Sequence, residues 1–531
     1  MFAIIVIGLT MLPYIAGWLA QNERQVFSGA VIGVEDFHSY IAKMRLGARG
    51  IWDFYLFYTP EPSEPVALVF LPYILPGQIV GRWFASTDAA LTPALVVTYH
   101  VMRIVFDLLL IGVMYRFIAA FLKSPSQRMT ALTLATLGGG FGWLLVFIDR
   151  NWLGSLPPDF FIPEGFSFIL LLSLPHLALA RAALLGGLLL LIASERAERR
   201  WIWVLGASIC WWLVGLAVPF YLAVIYCIIG AWGLALWLRQ RTFPWAFALR
   251  ASLAAGLTLP LFAYYAIAFS RNEVFAAWSA QNLLPSPHPL QYLVAYSLFI
   301  VLGSLALRWA WRRARLQARF ALLLAWVAIV PVLVYLPINV QRRTAEAVIV
   351  PLAILATHGL ARILRRLLIR RRVLVFASLS SLVLLITLCV GALIAGLPTH
   401  IPRDALAAFD WLNQHAPTDS VVLAAKLTGN QLPAYTNLRP YVGHGPETLL
   451  ADEKAALVNR FYSDQMDDEE RAALYASVGI RYVFYGQVER AIANPDSSQS
   501  GRIDPLIAQP AWAMDLDLLY DQDGYRIYGV P

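Results

Sequence analysis

The chain is 531 residues long, 59% hydrophobic and only 14% charged, with a mean hydropathy of +0.63. That composition excludes a soluble globular domain and requires an integral membrane protein. The formal charge of +8 is unevenly placed: from Pro398 onward there are 10 Lys and Arg against 18 Asp and Glu, and the remainder holds 31 against 15. A basic membrane body therefore ends in an acidic tail, and the basic excess calls for no nucleic acid, because arginines gather in the short cytoplasmic loops between spans.

Apolar runs of about 20 residues, enough to cross a bilayer, occur at 1–20, 92–122, 129–148, 166–192, 201–218, 220–238, 245–269, 290–309, 320–337, 345–361 and 373–397. The reading is therefore a mainly α, polytopic protein of about eleven spans. Residues 1–20 lack a basic leader and a clear small-x-small cleavage site, and read as a retained first span. The run 66–85 is broken by Pro72 and Pro76 and is assigned to the outer interface. With that assignment Lys123, Arg128, Arg196, Arg199, Arg200, Arg239, Arg241, Arg308 to Arg319 and Arg362 to Arg372 fall in cytoplasmic loops. The expected topology has the amino terminus in the cytoplasm, and the first loop (21–91) and the tail outside a bacterial plasma membrane. Cys210, Cys227 and Cys389 all lie in apolar runs, so no zinc or disulfide framework is readable.

The domain reading is a transmembrane domain over 1–397 and an extracytoplasmic α/β domain over 398–531. In the tail "SVVLAA", "RYVFYG" and "GYRIYGV" read as strands, and "RDALAAFDWLNQHAP", "ADEKAALVNRFYSD" and "DDEERAALYASVG" as amphipathic helices.

In the first loop, Phe37, Tyr40, Ile41 and Met44 make the apolar stripe of a short helix on the membrane surface, which would leave Lys43 and Arg45 facing water or headgroups. Asp36 falls just before it, as an N-cap; alternatively Asp36 or Glu35 is a general base at the membrane–water boundary. Asp149, Asp159 and Glu164 populate the second outer loop, and His176 sits just inside the following span. Tyr99, His100, Arg103 and Asp107 share one side of a long helix whose outer end should protrude, with Arg103 and Asp107 spaced as a structural i,i+4 pair. Arg342, Arg343 and Glu346 lie on an outer loop where cations are not expected; two arginines there fit a lipid phosphate, or anchor at headgroups. The glycine run "TLGGGFGW" (Thr136 to Trp143) lies in an apolar span and reads as a bend or a close helix contact, not a nucleotide loop. Together these features suggest transfer from a lipid-phosphate-linked donor to an acceptor in the outer compartment.

The chain resembles the GT-C superfamily of polytopic glycosyltransferases, which use polyprenyl-phosphate sugars and include protein O-mannosyltransferases and lipid A aminoarabinosyltransferases. The resemblance rests on "EDFHSYIAKM" after the first span, the interfacial "EPVALVFLPYILPGQIVGRW" and the arginine of "YHVMRIVFD". It is similar to bacterial members that share runs like "FAAWSAQNLLPSPHPLQYL" and "QRRTAEAVIVPLAILA" and a tail with "LPAYTNLRPYVGHGPET". The resemblance implies Asp36, with Glu35 as substitute, as catalytic base, Asp159 or Glu164 as second-loop acid, and Arg103, Arg342 and Arg343 as contacts of the donor phosphate. His38, His100, His176 and Glu346 are auxiliary candidates. The partners implied are a lipid-linked sugar donor, membrane lipid and a glycan, lipid or protein acceptor. The pair here reads Glu-Asp rather than Asp-Glu and the second loop lacks Asp-x-Asp, which leaves a divalent metal open. A transporter of a lipid-linked sugar would show paired broken half-helices, and none is readable; for a non-catalytic glycan-binding relative the feature to watch is "GHGPET" (Gly443 to Thr448), which would shape an acceptor groove if the tail faces the loop acids and is otherwise a glycine-rich turn.

Overall fold

Each apolar run is helical in the computed structural model, which describes residues 1–84, 87–363, 367–494 and 509–531. Residues 364–366 of the basic run at Arg362 to Arg372, and Ala85 at the end of the interfacial segment, lie outside the described residues. Length separates the helices into classes. Among the described residues six segments are long and apolar enough to cross a membrane, one of them, Pro125–Ile148, interrupted at its glycine run, and eight if two pairs bent by 43° and 47° each count as one span. The other three of the about eleven runs read from sequence, 290–309, 320–337 and 345–361, form shorter or interrupted helices. The run 290–309 breaks into Pro289–Ala295, Ser297–Ser304 and Leu307–Arg313. Arg319–Leu333 and Ile349–Ile363 have 15 residues each, about 22 Å of helix against a hydrocarbon core of about 30 Å.

The chain divides into two compact units. The first comprises Met1–Pro13, His100–Ile267 and Leu283–Cys389, and the second Tyr14–Tyr99, Ala268–Asn282 and Val390–Pro531. In the first unit the glycine run breaks the apolar stretch 125–148 into Pro125–Leu137 and Gly142–Ile148. The carboxylate of Asp159 fills that break: a Cβ on Gly142 would lie 1.7 Å from its Oδ1, and one on Gly139 3.0 Å from its Oδ2. Only glycine lets the backbone close around a side chain in this way.

The second unit is an α/β structure that joins the first loop to the tail. Strand β1 (Gln25–Phe27) pairs antiparallel with β2 (His400–Pro402). The main sheet contains β3 (Val421–Leu423), β4 (Arg439–Pro440), β5 (Ile480–Tyr485), β6 (Asp517–Gln522) and β7 (Tyr525–Gly529), in the order β4-β3-β5-β7-β6. The β3 contacts are parallel, and β5, β7 and β6 run antiparallel. Alternation along β5 sends Val483 and Tyr485 into one core with Phe461, Tyr462 and Trp512, and Phe484 into the other with Phe409, Leu412 and Leu432. Helices therefore cover both faces of the sheet. The helices expected from the tail's apolar periods form at Arg403–His415, Ala451–Tyr462 and Asp468–Val478, the last with a capping box of Asp467 and Glu470 and an αL Gly479.

Two expectations for the first loop are overturned. Its helix (Val34–Ala48) starts at Gly33, whose φ of 58° is the left-handed conformation glycine favours, so Glu35 and Asp36 lie inside the first turn and Asp36 is not the N-cap. Nor do the cations of this helix face water or headgroups. Lys43 and Arg45 are buried together with Phe37, Ile41 and Met44, because the helices Leu71–Trp83 and Lys426–Tyr435 pack against it. The approach of Val34–Ala48 to Leu71–Trp83 is backbone to backbone: a Cβ on Gly77 would lie 1.9 Å from Met44 O, on Gly47 2.2 Å from Ile74 O, and on Gly81 2.3 Å from Ala48 O. Gly77→Ala should therefore lower stability by about 1–3 kcal/mol through overpacking. Gly8→Ala, with nothing within 4 Å of the new Cβ, should not; thermal unfolding of the purified variants compares the two.

Candidate functional site

The first-turn carboxylate Asp36 meets the tail in the second unit. Its Oδ1 lies 3.0 Å from His444 Nε2, and the other ring nitrogen of His444 is 3.3 Å from Glu447 Oε1. Both partners come from the turn "GHGPET", whose short 3-10 segment Gly445–Glu447 places the histidine and the glutamate on one side. The turn is pinned by Thr448, which donates to Tyr58 O at 2.7 Å and accepts from Gly443 N at 3.1 Å. Gly443 is required there, since a Cβ would lie 2.7 Å from Gly429 O and 2.8 Å from the Tyr58 ring.

Glu447 in turn binds Lys43. The ammonium donates to Oε1 at 2.6 Å and to the Ser39 hydroxyl, Ser39 donates to the same oxygen at 2.9 Å, and the Phe70 ring lies 4.1 Å from the ammonium. Lys43 is 0% exposed and Glu447 3%, whereas the Asp36 side chain is 52% exposed. A buried base thus holds a buried acid, which holds the histidine that orients a solvent-reaching carboxylate. Burial alone would raise the Glu447 carboxyl, but the charges of Lys43 and His444 outweigh it and bring it to about 2. Burial would lower His444, and its bonds to Asp36 and Glu447 reverse this to about 9, so its ring is an imidazolium at neutral pH. Glu35 is exposed, and its backbone carbonyl accepts from Asn430 Nδ2 at 3.1 Å. Since Asn430 donates there, its Oδ1 accepts from His38 Nδ1 at 3.1 Å; His38 is buried, and burial lowers it to about 4. It is a neutral interior group.

In the first unit the remaining candidates form two clusters. Glu346 makes a two-pronged bond with Arg181, at 2.7 Å to Nε and 3.0 Å to Nη2, and Arg181 also donates to Ser167 Oγ, Pro163 O and Glu164 O. Both are 0% exposed. Glu164, also buried, lies 3.5 Å from Arg343 Nε. Arg342 stacks over Phe161 at 5.1 Å and Arg343 over Phe220 at 5.7 Å, and both are half-exposed. Asp159 belongs to the separate glycine break, where Ser380 donates to it at 2.6 Å and Gly140 and Gly142 bond it through their backbones. Burial outweighs these donors and raises its carboxyl to about 6. Arg103 is fully buried and donates to Thr10 Oγ1 at 3.1 Å and Leu171 O at 3.2 Å, one turn from the buried Asp107. His100 and His176 are half-buried on their helices. Among the described residues no three His, Cys, Asp or Glu side chains converge as a metal-holding cluster.

His444, Glu447, Lys43, Ser39 and Arg181 are absent from the site as read from sequence. Arg181 carried a legible signal, a lone charge in the apolar run 166–192. His444 and Glu447 lie in "GHGPET", singled out in the tail, whereas Lys43 carried no signal, its partner Glu447 being 404 residues away.

Removing one member of the buried pair strands the other. Lys43→Met and Glu447→Gln should each cost about 3–5 kcal/mol and the double substitution less than their sum, as read by denaturation of the four proteins. His444, with its folded value above the ordinary 6.5, stabilises fully below pH 6.5 and loses that contribution as pH rises through about 9. The melting temperature should therefore fall between pH 6.5 and pH 9, and His444→Gln should flatten that fall.

No family model matches the chain, and no curated protein matches it. Solved structures do. The apo oligosaccharyltransferase of Archaeoglobus fulgidus aligns with a TM-score of 0.54 at 11% identity, over 91% of this chain and 69% of that one. The archaeal oligosaccharyltransferase AglB from the same organism, in complex with an inhibitory peptide and a dolichol-phosphate, aligns at 0.51 and 10% over 90% and 69%. Apo ArnT from Cupriavidus metallidurans aligns at 0.51 and 12% identity over 99% of this chain and 97% of that one. At 10–12% identity these likenesses concern the fold alone: the chain shares the fold of these oligosaccharyltransferase and ArnT structures over most of its length.

Proposed function

We propose that the chain is a membrane glycosyltransferase that moves a sugar from a polyprenyl-phosphate donor to an acceptor hydroxyl on the extracytoplasmic side. The observation that carries this reading is Asp36: a half-exposed carboxylate in the first loop of a GT-C fold, directed by a buried His444–Glu447–Lys43 relay. A structural neighbour was solved with a dolichol-phosphate, and a polyprenyl-phosphate carrier is the corresponding donor here.

In this reading Asp36 takes the proton of the acceptor hydroxyl as that oxygen attacks the anomeric carbon, and the polyprenyl phosphate leaves with the bonding pair. Displacement from the opposite face inverts the anomer. His444 fixes one carboxylate oxygen, so the base presents a constant direction. Glu35, exposed one residue earlier, is the substitute. Arg342 and Arg343, half-exposed and held against aromatic faces, are the cations for the departing phosphate. Arg103, enclosed by its hydrogen bonds, braces helices of the first unit. Arg181 and Glu346 hold the segment that carries Arg342 and Arg343.

Transfer from a radiolabelled panel of polyprenyl-phosphate sugars, with the protein in nanodiscs, tests this. Asp36→Asn should reduce turnover by about 100-fold or more while donor binding persists, and Arg342→Ala with Arg343→Ala should weaken donor binding. Binding without turnover in the wild type would instead indicate a transporter or a glycan-binding protein.

A further inference from the structure

The second unit carries a cleft of about 710 Å³, walled by the β6–β7 hairpin, the start of Gln487–Ala493 and the chain beside β1 and β2. The hairpin turn is Asp523-Gly524, with φ of 48° and 79°, the left-handed pair of a rigid two-residue connection. Beneath it lies Arg490. Its residue is 9% exposed, its Nε is enclosed without a hydrogen-bond partner, and among the described residues its guanidinium forms no ion pair. The guanidinium stands 5.6 Å from the Tyr525 ring, and a Cβ at Gly524 would come within 3.2 Å of its Nη1. The neighbouring arginine of the wall, Arg526, is already paired with Asp521 at 3.2 Å.

A buried cation with no ion pair among the described residues is costly, and the open side of this one is a cleft. Around it stand groups that bind hydroxyls: the carboxylates of Asp404 and Asp523 and the amide of Gln487. Arg24 is a further guanidinium on the wall, and arginine forks for a planar anion, flanked by acceptors and amides, are the pattern that recognises an acidic sugar. We infer that this cleft is a binding site for a saccharide bearing a carboxylate or phosphate group, with Arg490 as the anion-binding residue. The site uses none of the residues of the proposed transfer reaction, and its binding is measured with no donor present, so either proposal can fail alone.

Calorimetric titration of the full-length protein in nanodiscs with trigalacturonate, glucose 6-phosphate and maltotriose tests it. At least one acidic sugar should bind about tenfold or more tightly than maltotriose, and Arg490→Gln should remove that preference. Which acidic sugar binds tells carboxylate from phosphate. Gln487→Ala, on the half-exposed rim, should weaken acidic-sugar binding several-fold and covers the case in which Arg490→Gln does not fold. Equal affinity for maltotriose, no binding of either acidic sugar, or an unchanged preference in folded Arg490→Gln would overturn the assignment.

Discussion

A lysine ammonium without water has to be given a carboxylate, and the arrangement of the second unit follows from that requirement at Lys43. The ammonium is enclosed by Phe70 and Ser39 and neutralised by Glu447 at 2.6 Å. Such a pair contributes little net stability against an apolar alternative, because desolvation offsets the attraction. It is selective, however: any register of Val34–Ala48 that moves Lys43 away from the turn at Gly443 to Thr448 strands two buried charges. The placement of Asp36 is a consequence of that selectivity, because His444 sits between Glu447 and Asp36 and reaches both.

Close approach of backbones supplies the rest of the positioning. Gly47, Gly77 and Gly81 let two first-loop helices touch through their carbonyls, and Gly429 and Gly443 let the tail turn lie against Lys426–Tyr435. The result is a carboxylate carried on packed helices and a pinned turn rather than on a free loop. A carboxylate held this way has little conformational freedom left to lose on binding a partner.

The first unit obeys the same rule with other residues. Arg181, in the middle of an apolar helix, is made tolerable by Glu346 and by the carbonyls of Pro163 and Glu164. These bonds join the second loop to the segment after Gln341–Ala345, and Ala347 N adds a bond to Glu164 O at 2.9 Å. In both units a buried ion pair fixes a segment whose neighbouring charged residue reaches solvent: Asp36 in one, Arg342 and Arg343 in the other.

What the sequence determined by itself is what short-range chemistry controls. Apolar runs and their turns specified membrane helices, the strands β3, β5 and β7 and the tail helices, because periodicity reads which face an element buries. The acidic pair in the first loop and the arginines at 342 and 343 were legible as charges in unusual company, and so was the resemblance to the GT-C fold. Tertiary structure decided the rest. Whether a run is an unbroken span depended on how the chain bends at Gly138 to Phe141 and at 296 and 305–306; whether Asp36 caps a helix depended on the left-handed Gly33; and whether Lys43 meets water depended on Glu447, 404 residues away. Burial of a charge is a property of both partners and of everything that excludes water around them. No window of sequence around Lys43 contains that information, and the site built on it became visible only once the tail had folded against the first loop.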